Sequence, residues 1–161
     1  MAYSTEEARI QLLDDIAHAI DELGVALAAL GAAYELLDER TADQLEAELF
    51  RPVQVAYGRA QRTHAGFAER HGLPGRKFEP SVAGRVSQGA RSFVDTAAEA
   101  VEETEHLLTE IQDSMMPVEV GDATLPITFH FLNRFSKAWR ASLGRWAAGV
   151  DVSFSTITRM E

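Results

Sequence analysis

Residues 4–37 read STEEARIQLLDDIAHAIDELGVALAALGAAYELL, and the spacing of apolar residues along this stretch decides the fold class. Leu13, Ile20, Leu27 and Tyr34 recur every seven residues, and Ile16, Leu23, Leu30 and Leu37 form a second column beside them. Two adjacent columns at that period lie on one face of an α-helix, as in a helical bundle. A third column of Ile10, Ala17, Gly24 and Gly31 flanks them. Each glycine weakens a helix by about 1 kcal/mol relative to alanine, so this small column is expected to admit a closely packed neighbouring helix. Ser4 and Glu7 have the S-x-x-E spacing of a capping box and mark the helix start.

Working outward, Thr41 and Gln44 repeat that capping spacing, so a second helix is expected after a tight reversal at residues 38–40, antiparallel to the first. Its buried stripe reads Leu45, Leu49, Val53, Ala56, Ala60 and Phe67. Pro52 removes a backbone donor within it and predicts a kink. Gly72, Pro74 and Gly75 end it, with Arg70 and His71 in the last turn, where positive charge suits the helix dipole. A third helix is expected from Ser81 to about Asp113, with Val86, Ala90, Phe93, Val94, Ala97, Val101, Leu108 and Ile111 inward. Segments 72–80 and 114–125 are crossover connections.

From about Pro126 to Val150, Leu132, Phe135, Trp139, Leu143, Trp146 and Val150 fall on one helical face, with Arg134, Lys137 and Arg145 opposite. Ile127, Phe129 and Phe131 alternate as a strand would, but the helical period is longer and predicts a fourth helix. Residues 151–161 are rich in β-branched side chains and are expected to form a short irregular C-terminal tail. The predicted fold is therefore all-α, an antiparallel up-down four-helix bundle over residues 1–150 followed by that tail. A single domain suits 161 residues.

Charge changes character near residue 123. Residues 1–123 carry a net charge of −13 and residues 124–161 a net charge of +3. The overall value of −10 argues against nucleic acid as a partner, because a polyanion would be repelled over most of the surface. Cysteine is absent, which removes thiolate ligands and cysteine nucleophiles and makes cytoplasmic residence the expectation. Met1 to Ile10 is polar and acidic, unlike a signal peptide. No uninterrupted apolar run reaches the roughly 20 residues that span a bilayer, and a membrane is not expected as a partner.

Glu103 and His106 have the E-x-x-H spacing that di-metal carboxylate bundles use, and Asp15 and His18 echo it on the first helix. Taken at 100° per residue, both histidines lie opposite their apolar stripes, so they face solvent among carboxylates, and no metal site or cofactor is assigned. No nucleophile elbow, Walker loop or dinucleotide fingerprint is present, and no catalytic residue is named. His64 flanks the buried stripe of the second helix, seven residues after Tyr57. Tyr57, His64, Trp139 and Trp146 are the candidate ligand or partner surface.

The expected function is a non-enzymatic helical interaction or regulatory protein. Its expected partner is a second copy, through the small face of the first helix or the aromatic face of the fourth, or another protein. The alternative is a bundle that binds a metal or small ligand, and a weaker one is peripheral membrane binding through the tryptophans.

Overall fold

The computed structural model describes residues 5–80, 89–114 and 120–160, with side chains up to Val150. Five helical elements follow in chain order: α1 (Thr5–Glu35), α2 (Glu39–Leu45), α3 (Arg51–Arg70), α4 (Ala90–Asp113) and α5 (Thr124–Met160). A π-helical turn, Glu46–Phe50, joins α2 to α3, so α2 and α3 form one continuous arm and the molecule has four helical rods. Among the described residues there is no strand, and the alternation at Ile127 to Phe131 is helical. The period-3.6 stripe that continues to Val150 outweighs the short alternating run.

The π turn is where the sequence predicts a kink. Pro52 offers no N–H to the carbonyl four residues earlier, and its ring crowds that carbonyl. The Arg51 N–H instead bonds to the Glu46 carbonyl, five residues back, which widens the turn ahead of the proline. The start of this arm differs from expectation. Asp38, not Thr41, is the N-cap, and its carboxylate accepts from the Thr41 N–H at 3.3 Å. Asp is as good a cap as threonine or better, and it brings a negative charge to the helix N-terminus.

At its other end α3 closes in a Schellman motif. Leu73 N–H bonds to Ala68 O at 2.8 Å, Gly72 N–H bonds to Glu69 O at 3.3 Å, and Gly72 has φ 64°. That left-handed conformation suits glycine. The expected Ser4 cap and the Ser81 start of the third helix, with Val86, lie outside the described residues. Within them α4 begins at Ala90, and all seven other predicted inward residues are buried.

The fourth helix departs most from expectation. It runs through Met160, so residues 151–160 are helical rather than an irregular tail. β-branched residues lower helix propensity by only a few tenths of a kcal/mol each, and the segment contains no proline to stop an established helix.

One apolar core joins all four rods. α1 packs most extensively against α4 and next against α3. α1 is also long and apolar enough in composition to cross a membrane, which the search for uninterrupted apolar runs overlooks because Asp21 and Glu22 break the run. Here Leu12, Ile16, Ile20, Leu23, Leu27 and Leu30 are all buried inside the protein core.

Side-chain contacts set the register. Arg70 meets Asp122 and Thr124, Thr63 meets Thr128, and Trp139 meets Leu49. Likewise Gln112 meets Asn133 and Glu105 meets Arg140. Asp122 is the tightest of these latches. Its carboxylate accepts from Arg70 Nη2 at 2.8 Å and from Arg70 Nε at 3.1 Å, and His71 Nε2 lies 3.0 Å away. The Thr124 amide donates to it as well, at 3.0 Å. Burial opposes ionisation of Asp122, yet the hydrogen bonds from Thr124, Arg70 and His71 outweigh it and hold the carboxyl well below the usual carboxylate range.

At Gly24 the small column of α1 meets the Tyr57 ring of α3 together with a stretch that has no regular secondary structure. Residues 73–80 are that stretch, a strap, and at Gly24 its backbone comes close. A Cβ built there would lie 3.4 Å from Pro80 Cα and 3.7 Å from the Glu79 carbonyl. An irregular segment with prolines needs the same clearance a helix would, and the chain supplies one from within.

Candidate functional site

His64 and Tyr57 sit two turns apart on the face of α3 that meets α1 and the strap. Both are buried, His64 to 3% exposure. The Tyr57 hydroxyl and His64 Nδ1 have no hydrogen-bond partner. The Gln61 side chain approaches the Tyr57 hydroxyl without completing a bond of ordinary geometry. The His64 ring stands edge-on to Phe78 of the strap, with centroids 4.9 Å apart. Arg76 lies over the other side of this region, paired to Asp21 through two hydrogen bonds of 3.0 and 2.9 Å and stacked 4.5 Å above Phe78. Burial, and after it the Arg76 charge, lower the pKa of His64 below 6.5. Burial likewise raises Tyr57, so both groups are neutral at physiological pH.

The two tryptophans are buried, although Trp139 also borders a groove between α3 and α5. Trp139 is 1% exposed and its indole N–H donates to the Leu49 carbonyl at 3.0 Å; Trp146 is buried as well. An indole that fills a core and still finds an acceptor is a packing residue. Both indoles thus lie among the core residues of this chain. On the small face of α1 the strap lies close to Gly24, while Ile10 is 52% exposed and nothing lies within 4 Å of a Cβ built at Gly31.

The outward orientation of the E-x-x-H motifs matches the helical-wheel expectation. His106 is 65% exposed and 3.2 Å from Glu110. What the sequence alone does not reveal is that Asp15, His18 and Glu22 run along the α1 side of a seam whose α4 side carries Glu103, His106 and Glu110. Burial, followed by local and cross-seam charges, raises the pKa values of Asp15 and Glu22; Glu110 acts on the first and Glu103 on the second. His18 stands with Asp14 and Asp15 in one cluster. These groups are exposed or half-buried, and Asp122, whose side chain is shut away from solvent, is engaged by Arg70 and His71. Among the described residues the buried polar ones are Thr41, His64, Thr104, Thr128 and Ser136.

A further feature emerges only from the packing of α3 on α5. Three adjoining grooves of about 400, 500 and 380 Å³ run along this junction, sharing Arg59, Ile127, Phe131 and Phe135 as walls. Val55 and Ile127 are 59% and 63% exposed there. Arg51, Arg59, Arg62 and Arg134 line the same grooves together with Arg70, which Asp122 holds, and among the described residues no carboxylate is in the lining. Arg59 lies 4.1 Å over the Phe131 ring. Around the molecule, between α4 and α5, the lining is instead Glu99, Glu102, Glu103 and Glu105 with Arg140.

No family model, curated protein or solved structure matches the chain. Its function has to be read from these surfaces.

Proposed function

We propose that the chain is a non-enzymatic interaction protein that docks the acidic face of a partner protein on its α3/α5 side. One observation carries this reading. On a chain of net charge −10, the exposed apolar residues Val55 and Ile127 lie in grooves lined by four arginines that have no carboxylate partner among the described residues. Arginine and aromatic side chains are enriched at protein interfaces, and an amphipathic helix laid in a groove needs an apolar seam with flanking charge of the opposite sign. Cationic rims of this kind raise association rates more than they raise affinity.

The architecture that supports the surface is a bundle in which every neighbouring pair is antiparallel, although successive rods do not simply alternate. Contacts pairing 70 with 122, 63 with 128 and 49 with 139 support opposite directions for α3 and α5, and those pairing 112 with 133 and 105 with 140 do the same for α4 and α5. Charges that couple 15 with 110 and 22 with 103 support the same for α1 and α4. The order is then up, down, down, up, and the strap is the overhand crossover that lets α3 and α4 run the same way.

The test uses a defined acidic amphipathic probe, a synthetic peptide of residues 90–113. Saturable binding that weakens with salt is expected. It should fall at least about tenfold, near 1.4 kcal/mol, in Arg59→Glu/Arg134→Glu and in Val55→Asp/Ile127→Asp. Binding that ignores both pairs of substitutions, or no binding at low salt, sinks the proposal. Native mass spectrometry of the full chain separates self-association from partner docking, and a monomer is the expected species.

A further inference from the structure

We infer that the open cleft between α1, α3 and the strap is a binding site for a small monocarboxylic acid with an apolar body. It is separate from the α3/α5 face and does not depend on that reading. The cleft holds about 300 Å³, at the lower end of small-molecule sites and room for roughly ten water volumes of about 30 Å³. A ring-sized molecule fits. Ile10, Leu13 and Ala17 of α1 and Leu73 and Pro74 of the strap supply apolar walls.

His64 lines this cleft, and it is the observation that points to a ligand. It is 97% buried, Nδ1 is shut off from solvent without a partner, and among the described residues neither ring nitrogen makes a hydrogen bond. Leaving a buried polar group unpaired costs about 1–3 kcal/mol, and native proteins keep few such groups. Packing alone would be served better by leucine at this position. The edge contact with Phe78 occupies a ring face and satisfies no nitrogen.

The charges around the cleft choose the ligand class. Arg76 lines it with its guanidinium held in place by Asp21 and Phe78, so the wall carries a fixed cationic donor that suits an anion better than an ammonium group. Asp14 also lines it and is exposed, which disfavours a second negative charge on the ligand. A neutral imidazole with its proton on Nε2, the ring nitrogen that is not sealed from solvent, donates it to a carboxylate, and the apolar walls take the remainder of the molecule.

The experiment is a titration of the isotope-labelled full chain with sodium benzoate, using benzyl alcohol as the neutral isostere, followed through the His64 imidazole and Ala17 amide signals. Benzoate is expected to bind with a Kd of about 1 mM or tighter, and benzyl alcohol at least about tenfold more weakly. His64→Leu should abolish the benzoate response. Ile10→Trp, at a half-exposed position on the cleft wall, should block it without disturbing the fold. Arg76→Gln should reduce benzoate to the level of benzyl alcohol. Absence of any His64 shift with benzoate overturns the site. Equal binding of the two probes overturns the acid specificity, and binding untouched by both His64→Leu and Ile10→Trp places the ligand elsewhere.

Discussion

Trp139 ties the largest fully buried side chain of the protein to a backbone carbonyl inside the π turn. Replacing it by phenylalanine keeps much of the apolar burial but removes the indole donor from the Leu49 carbonyl in a dry environment. Trp139→Phe should therefore lower the unfolding free energy by about 1–3 kcal/mol, read as a lower urea midpoint at an unchanged m-value. A midpoint equal to the parent would mean that another donor reaches Leu49. The same accounting has the opposite sign at His64, where the polar atom has no partner to lose. That contrast explains why two residues marked together as a candidate surface part company. Trp139 belongs to the core, and His64 stays a ligand candidate because its hydrogen-bonding capacity is unused.

Between elements, the strap and the Asp122 latch replace what a regular helix hairpin would provide. Gly24 distinguishes the two effects of a side chain beneath the strap. Its Cβ would meet Pro80 Cα at 3.4 Å and Tyr57 Cε2 at 3.5 Å, ordinary contact that a methyl group can make. Gly24→Ala should stabilise by up to about 1 kcal/mol through helix propensity. Gly24→Leu should destabilise by about 1–3 kcal/mol because it displaces the strap. Thermal melts of the two variants should therefore move in opposite directions, and a stable Gly24→Leu would show that the strap has room to lift. At the latch, Asp122→Asn removes the charge that Arg70 and His71 face, and should cost about 1–3 kcal/mol at neutral pH. Because the folded carboxyl titrates below its unfolded value of 3.8, its contribution is complete above that pH and fades as pH falls below it. Parent and variant should converge in stability in strong acid. The rods themselves are legible in the sequence, because a heptad column and a capping residue are local signals. The strap is not, since residues 73–80 have no periodicity and the column they cover lies about 60 positions away. The arginine face escapes notice for a similar reason: Arg51, Arg59 and Arg62 meet Arg134 only once α3 has packed on α5.

Across the whole molecule, charge is segregated, with carboxylates along α1 and α4 and arginines along α3 and α5, and this arrangement makes stability depend on pH through opposing groups. Asp15 and Glu22 have raised folded pKa values from burial and then from neighbouring like charges. Their ionised forms cost stability at neutral pH, and that cost is relieved as pH falls through the raised values toward 3.8 and 4.5. His64 acts in reverse. Its folded pKa lies below 6.5 because of burial and Arg76, so the unfolded chain takes up the proton first and stability is lost as pH falls below 6.5. Phe78 and Arg76 of the strap are the groups that act on His64, and Asp14 of α1 lines the same cleft from an exposed position. His64→Leu isolates the effect. It should melt no lower than the parent at neutral pH, having lost an unpaired group, and its advantage should widen as the pH is brought down through the histidine range. Replacing Asp15 and Glu22 by their amides should instead raise the neutral-pH melting temperature and flatten its rise in acid. A gap between His64→Leu and parent that stays constant across that range would mean His64 is already protonated or bonded in the folded state, and the empty hydrogen-bonding capacity on which the acid site rests would be gone.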